Sequence, residues 1–507
     1  MSKIAIIGSG PGGLVAAKYL KNEGFDVVLF ELGESMGGQW AGNRRYSGVW
    51  PAMHTNTSRI MTAFSDLEHA GPGPVYPHNQ SIHTYVQRYA EQFGINTHIR
   101  LRTRVREVSR DPSGEGWLLG FTGADGALHQ ESYSKVIVAT GRCRRPRMPL
   151  ELGLNRFQGK VSHAFQYAGA EPYAGQKVLV IGCSISALEI ASELAFSGVK
   201  VFSTHRRQRY ILQKFVAGVP VDQAVFNRFS ALVLESLPIR QAMDGLKELI
   251  LSSSGSPEYF GAGKPSANIL EAGITQCQHF LPLVAEGKIE SRPWLSGVEG
   301  QTVLFSDGSS EKIDAIICGT GYDLDLPFLN REIQMRLRID GEHIDLYKCT
   351  FHPDLPGLAF LGLFELFGPY FPVLELQARW IAYLWSEALP AVSSEQMSEE
   401  ISGNATLPMH TAALLFARAA GVEPEIDQWP DLARTLLFGP MSPVSFRLNG
   451  RDSLPDAAQR VANETKIFET ITGAGFTARQ YAQLQFLAAA RQDRQLRQLL
   501  ADIQQPA

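Results

Sequence analysis

Two stretches of the chain share one plan, in which an apolar strand runs straight into a tight turn of small residues and then into a helix. The first is Lys3–Ile7, followed by Gly8-Ser9-Gly10-Pro11-Gly12-Gly13 and a helical pattern from Leu14 to about Asn22. The second is Lys177–Ile181, followed by Gly182-Cys183-Ser184-Ile185-Ser186-Ala187 and a helix predicted over 188–196. Small residues at such a turn let backbone N–H groups approach a pyrophosphate at a helix N-terminus. Each unit then runs into a second strand, and the two strands end differently. The first (Asp26–Phe30) ends at Glu31, about twenty residues past the glycines, where a carboxylate receives a ribose 2′-hydroxyl. The second (Val199–Ser203) ends in Thr204-His205-Arg206-Arg207. Glu31 would repel a 2′-phosphate, whereas guanidinium groups bind one bidentately. The first site therefore suits FAD or NAD, and the second NADPH, with Ser184 and Ser186 offering hydroxyls to phosphate oxygens. Plain surface charge is the other reading of Arg206 and Arg207. The fold class expected is α/β, with two Rossmann-like dinucleotide-binding domains whose cofactors exchange electrons.

A chain of 507 residues has room for two or three such domains. The formal net charge of −4 gives no reason to expect nucleic acid or an anionic membrane as a partner. Five scattered cysteines, at 143, 183, 277, 318 and 349, form no C-x-x-C pair, which argues against a dithiol reductase, a disulfide framework and a metal site. The chain enters its first strand at once, leaving no room for a signal peptide. Its most apolar stretch, 358–376, is broken by glycines, prolines, Glu365 and Glu375, and reads as core rather than a membrane span. A soluble, cytoplasmic protein is expected.

Further short segments punctuate the chain: Gly37-Gly38-Gln39-Trp40, then Met53-His54-Thr55-Asn56-Thr57-Ser58-Arg59, then Phe64-Ser65-Asp66. Later come Ala139-Thr140-Gly141, the pattern Phe157-x-Gly159-x-x-x-His163-x-x-x-Tyr167, and Gly319-Thr320-Gly321-Tyr322. In kind and order these resemble the flavin-containing monooxygenases of the N- and S-oxygenating type, over about residues 1–460. Three positions depart from the family pattern: Leu67 follows Asp66 in place of Phe, Ala168 follows Tyr167 in place of Lys, Arg or Pro, and Gly319 stands in place of Ala. The resemblance implies an FAD domain interrupted by an NADPH domain. It assigns Asn56 a catalytic place beside the flavin and nicotinamide, and His163 a role in coupling domain placement to NADPH. Gly38, Gln39, Trp40, His54, Thr55 and Val105 are expected to line the cofactors. So are Thr140, Gly141, Thr320 and Gly321 at the two crossings between domains, and Gln377 on the flavin side of a later helix. A turn residue remains the plainer reading of Asn56, a satisfied core histidine that of His163, and a solvated basic crossing that of the four arginines over 142–147.

The division expected is 1–168 for the first part of the FAD domain and 169–320 for the NADPH domain, with a helical insertion about 210–268. The second part of the FAD domain then takes 321–460, and a helical extension 461–507. In that extension Leu496, Leu499, Leu500 and Ile503 share one helical face, which either packs on the protein or meets a second copy in a homodimer. The activity implied is NADPH- and O2-dependent oxygenation of a nucleophilic nitrogen or sulfur in a small molecule, by way of a flavin C4a-hydroperoxide. Baeyer–Villiger oxygenation of ketones is the alternative, disfavoured by Tyr167 where that group carries tryptophan. An NADPH oxidase and a non-catalytic flavin-bearing regulator are the others.

Overall fold

A computed structural model describes residues 2–402, 406–473 and 475–503. Ten short strands build two parallel sheets. In chain order they are β1 (Lys3–Ile7), β2 (Asp26–Phe30), β3 (Ile99–Arg100), β4 (Lys135–Val138) and β5 (Lys160–His163), then β6 (Lys177–Ile181), β7 (Lys200–Thr204), β8 (Ile289–Ser291), β9 (Ala315–Cys318) and β10 (Leu358–Phe360). The first sheet has the order β10-β4-β1-β2-β3 and the second β8-β7-β6-β9-β5. Both are doubly wound, with the nucleotide turn following the central strand. Helix α1 (Pro11–Asn22) follows β1 and α2 (Ile185–Phe196) follows β6, each starting about three residues earlier than its apolar periodicity suggests. In α1 the reason is Pro11, whose fixed φ suits the first helical position.

The two domains repeat each other further. Before its return strand each inserts a three-stranded antiparallel layer: Arg104–Arg110, Trp117–Thr122 and Leu128–Tyr133 before β4, and Leu295–Glu299, Thr302–Phe305 and Ser310–Lys312 before β9. The expected boundary at 168 is corrected by the sheets. Strand β5 pairs in parallel with β9, Ser162 beside Ile317 and His163 beside Cys318, so the chain has entered the second domain before residue 160. The crossing lies at Arg145–Pro146, which pairs antiparallel with the return crossing at Tyr322–Asp323.

Between β7 and β8 the chain forms α3 (Arg228–Ser236) and α4 (Ile239–Ser254) after a short turn of helix at Val221–Val225, within the segment read as an insertion. A short parallel pair, Tyr210–Leu212 with Ile274–Gln276, closes its base. The first domain is completed by α5 (Phe371–Trp385), which packs on α1, and by α6 (Met409–Ala419) against α5. Behind them lie a helix at Ala457–Thr472 and then α7 (Ala478–Arg491) and α8 (Arg494–Asp502), the last two parted at Gln492 with φ +53°. Leu496 is buried, and Leu499, Leu500 and Ile503 pack on the core of the same chain. No helix among the described residues is long and apolar enough to cross a membrane.

Several of the recurrent motifs hold the first domain to the C-terminal third through buried charges. Lys18 of α1 pairs with Asp66 at 2.5 Å. Glu375 of α5 accepts hydrogen bonds from the Tyr19 hydroxyl (2.6 Å) and the Ser65 N–H (2.8 Å). Arg447 donates to the Tyr19 hydroxyl at 2.6 Å and pairs with Asp452 at 3.2 Å, and the fully buried Arg379 meets Asp452 at 2.5 Å. Each charge here has a partner, the condition under which burial is tolerated. Gln377 is corrected by the same packing. Its amide donates to the carbonyls of Cys349 and Phe360 and to the Thr350 hydroxyl, and its carbonyl accepts from the Gly362 N–H, so it is engaged within the core and not offered to a cofactor.

The departure at Gly319 also has a structural reason. In the first domain a Cβ on Gly8 would stand 2.5 Å from the Ala139 carbonyl oxygen, and one on Gly13 2.0 Å from that of Gly8. In the second, a Cβ on Gly182 would stand 2.4 Å from the Gly319 carbonyl oxygen, but the helix carries Ala187 where the first has Gly13. The return turn gives up its side chain instead: a Cβ on Gly319 would lie 2.6 Å from that of Ala187. Gly13 with Ala139, and Ala187 with Gly319, are two solutions to one close approach. Gly319→Ala should therefore lose about 1–3 kcal/mol by overpacking, and adding Ala187→Gly should restore most of it, as thermal or urea unfolding would read.

Candidate active site

The first nucleotide turn is a bare cradle. Gly10 faces Gly38 closely enough that a Cβ on Gly38 would stand 2.9 Å from the Gly10 Cα, and Gly38 has φ +58°. Glu31 reaches back to this turn and accepts from the Ser9 N–H (2.9 Å), the Ser9 hydroxyl (2.7 Å) and the Gly33 N–H (2.7 Å), which fixes its carboxylate at the strand end. Among the buried polar atoms of this domain that have no hydrogen-bond partner within the protein are Asn56 Oδ1 and Thr140 Oγ1. Buried acceptors and hydroxyls of that kind are rare in finished cores and common where a ligand completes them. The glycine turn with Glu31 fixed beside it leaves backbone N–H groups free to face a pyrophosphate.

Two residues past Asn56, the backbone is held at Ser58 by an unexpected clamp. Asp222 of the insertion accepts from the backbone N–H of Ser58 at 2.5 Å, and the Gln223 amide donates to the Ser58 hydroxyl at 3.1 Å. Burial pushes the Asp222 carboxyl up to about 6. The sequence carries no local sign of this contact, because the partners are 164 residues apart. Other expected residues are occupied differently. Thr55 is buried with its hydroxyl donating to the Thr57 carbonyl, and Trp40 lies in a single turn of 3-10 helix at Gly38–Ala41, which also contains Gln39. His54 is exposed, its ring beside the Ala52 carbonyl and edge-on to His78. Val105 is half-buried on the antiparallel layer.

The Phe157–Tyr167 pattern forms the seam between the domains. Tyr167 is fully buried and donates to Glu193 of α2 at 3.1 Å, while Trp50 of the first domain donates to the same carboxylate at 2.6 Å and meets Tyr167 edge-on. Arg44 clasps the pattern from the first domain, donating to the carbonyls of Gln166 (3.0 Å) and Tyr167 (2.6 Å). Tyr167 is thus a structural latch. At the crossings, the Thr320 hydroxyl donates to the Arg147 carbonyl at 2.5 Å and Arg147 pairs with Asp323 at 2.7 Å. Gly141 and Gly321 turn the chain with φ +71° and +86°.

His163 ends β5 beside these crossings, its ring edge-on to Tyr322 at 5.2 Å. Its Nδ1 accepts from the Phe165 N–H at 3.0 Å, so in the neutral ring Nε2 carries the proton. Burial pushes its pKa down to about 4, which keeps the ring neutral at neutral pH. Nε2 is buried, and the Gly321 backbone beside the ring opposes that shift.

His163 lies on the wall of a chamber of about 1310 Å³. Ser184, Ser186, Arg207 and Gly321, four of the expected residues, line its nucleotide end together with Gly319. Arg206 is exposed and does not line it, whereas Arg209, two residues past the pair read from the sequence, does. Arg209 is half-buried, and its N–H donates to the Ile274 carbonyl at 3.4 Å. The far end is apolar, formed by Phe226, Phe229 and Val233 of the insertion, Met243 and Leu246 of α4, and Phe367. Thr477, Gln480 and Gln483 of the extension close that end.

Two dinucleotide turns, with the second opening into a chamber that has room for a small molecule, define an oxidoreductase that uses two nucleotides. A family model described as "FMO-like: Flavin-binding monooxygenase-like" matches residues 1–413, and the chain belongs to that family. Its members are FAD-containing, NADPH-dependent monooxygenases, and those are this enzyme's cofactors. The chain is 28% identical over 494 residues to flavin-containing monooxygenase 5 of Oryctolagus cuniculus, covering 90% of this chain and 91% of that one. It is also 28% identical to an N-oxide-forming dimethylaniline monooxygenase 2 of Rattus norvegicus, covering 89% of each. Among solved structures, S-allyl-L-cysteine S-oxygenase from Allium sativum superposes with a TM-score of 0.62 at 22% identity, over 93% of this chain and 99% of that one. Cyclohexanone monooxygenase in an open form does so with 0.60 at 17% identity, over 83% and 97%. At these identities the two structures report on the fold.

The difference between the two adjacent arginines can be tested directly. Arg207→Ala should raise the KM for NADPH about tenfold or more while changing that for NADH far less, in keeping with the loss of a charge-assisted hydrogen bond. Arg206→Ala should change either by less than about twofold. Steady-state kinetics with both nucleotides separates the outcomes, and equal effects of the two substitutions would contradict the placement.

Proposed function

We propose that this enzyme inserts one atom of O2 at a nucleophilic nitrogen or sulfur of a small molecule, at the expense of NADPH. The observation that carries this reading is one chamber of about 1310 Å³ lined both by the second nucleotide turn and by apolar residues of the insertion. A nicotinamide held at one end and a substrate held at the other would be enclosed together.

In this reading the Gly8, Gly10 and Gly38 cradle and Glu31 hold FAD, and Ser184, Ser186, Arg207 and Arg209 hold NADPH. FAD, when bound, supplies the oxygen-activating chemistry. The protein binds, orients and excludes water. The neutral His163 offers its Nε2–H to the group that enters the seam. Asn56, two residues before the Asp222–Ser58 clamp, offers an unpartnered carbonyl oxygen in a buried place, where a hydrogen bond is worth more than in water. The apolar walls of the insertion keep the reacting atoms dry, which suppresses loss of the activated oxygen as peroxide.

The test uses the FAD-loaded enzyme with NADPH, isotopically labelled O2 and three probes: N,N-dimethylaniline, methyl p-tolyl sulfide and cyclohexanone. Labelled N-oxide or sulfoxide, formed with close to one product per NADPH, is the expected result. Asn56→Ala should continue to oxidise NADPH while the yield of product per NADPH falls several-fold and peroxide rises. Peroxide alone with all three probes would contradict the reading, ester from cyclohexanone alone would replace it with ketone oxygenation, and full coupling in Asn56→Ala would remove Asn56 from the site.

A further inference from the structure

At the apolar end of the chamber one polar side chain has no structural occupation. His410, in the first turn of α6, lies on the chamber wall and is 5% exposed, and neither Nδ1 nor Nε2 has a hydrogen-bond partner in the protein. Its ring lies 5.8 Å from that of Phe226, which in turn meets Phe367 edge-on at 5.5 Å. A parallel bridge between Leu366–Phe367 and Leu407–Pro408 fixes the backbone just before it. The imidazole is therefore set among aromatic rings by packing alone.

Several other polar groups at this end are engaged. Asn227 donates to the Ala224 carbonyl and accepts from the Ser230 N–H. The Tyr370 hydroxyl accepts from the Leu366 N–H, and Glu365 accepts from the Thr406 hydroxyl. Gln480 accepts from Arg434 and from the Thr477 N–H. Of the other buried wall groups, His163 has the Gly321 backbone beside it, and Thr275 Oγ1, which is unpartnered, stands next to the carbonyl that Arg209 reaches. A neutral imidazole has one donor and one acceptor nitrogen, and a fold that buries both without a partner leaves them for a ligand. Burial drives the His410 pKa down to about 4, so the ring keeps that donor and acceptor pair across the neutral range.

We propose that His410 is a specificity-determining residue of the substrate end, which selects amines or thioethers that combine an apolar, ring-sized body with one hydrogen-bonding group such as a hydroxyl or amide. The proposal rests on the monooxygenase reading of the chamber and deepens it. Phe226 and Phe367 take the ring, and His410 takes the polar group, which fixes which end of the molecule faces the seam. Sites built to hydrogen-bond a substrate group discriminate strongly against an analogue that lacks it, because the buried partner is then left unpaired.

A matched pair of probes tests this: 4-(methylthio)benzyl alcohol and methyl p-tolyl sulfide, which differ by one hydroxyl. Their affinities for the FAD-loaded enzyme are read from the perturbation of the flavin absorbance, without turnover. The wild type should bind the alcohol at least about tenfold more tightly than the sulfide. His410→Leu should abolish that preference, and His410→Gln, which keeps a donor and an acceptor, should restore it to within about threefold. No preference in the wild type, equal loss for both probes in His410→Leu, or binding of neither probe would overturn the proposal. Sulfoxide formation by the wild type with NADPH is scored separately, so a failure of the monooxygenase reading is distinguished from a failure at His410.

Discussion

The absence of room for a Cβ where each nucleotide turn passes its return strand is the constraint on which the rest of the structure depends. Backbone meets backbone there, at Gly8 against Ala139 and at Gly182 against Gly319. That contact puts the helix N-terminus over the end of the central strand, with its N–H groups free to face a pyrophosphate. It also brings the residue after each return turn, Thr140 or Thr320, to the edge of the nucleotide site, where the chain crosses between domains. Because the two crossings pair with each other as Arg145–Pro146 and Tyr322–Asp323, the same contact fixes how the domains face one another. The swap of Gly and Ala between helix and turn shows that total volume is what is held constant.

A second set of interactions makes the first domain continuous although the chain leaves it for well over a hundred residues. Lys18–Asp66, Tyr19–Glu375 and Arg379–Asp452 join α1, the Phe64-Ser65-Asp66 segment, α5 and the region before the extension. Motifs that look like site residues in the sequence are here internal ties. The same holds at the seam, where Trp50 and Tyr167 share Glu193. Both domains are thereby anchored around His163, which ends β5 at the seam.

The parts of this structure that were legible in the sequence are those with local signatures. The two strand–turn–helix units, the acid at Glu31 against arginines past the second strand, and the helical insertion each follow from periodicity and turn chemistry within a short window. What was not legible depends on distant pairing. Strand β5 is four residues long and is defined by a partner about 150 residues away, so the domain boundary falls earlier than the motif pattern suggested. Gln377 looked available because its four hydrogen-bond partners come from other segments. Arg209 stands outside the adjacent pair read as the phosphate site, and only the curl of the chain after β7 turns it to the chamber. His410 and the Asp222 clamp carry no motif at all, and their meaning comes from what surrounds them.

The central claim is that the second turn and its arginines deliver NADPH to the flavin across the seam. Anaerobic mixing of the FAD-loaded enzyme with NADPH or with NADH, followed through the flavin absorbance, tests it most directly. Rapid bleaching by NADPH, faster than by NADH at equal concentration by about tenfold or more, is the result predicted from a guanidinium-bound 2′-phosphate. Equal rates with the two nucleotides, or a flavin that neither reduces, would contradict it.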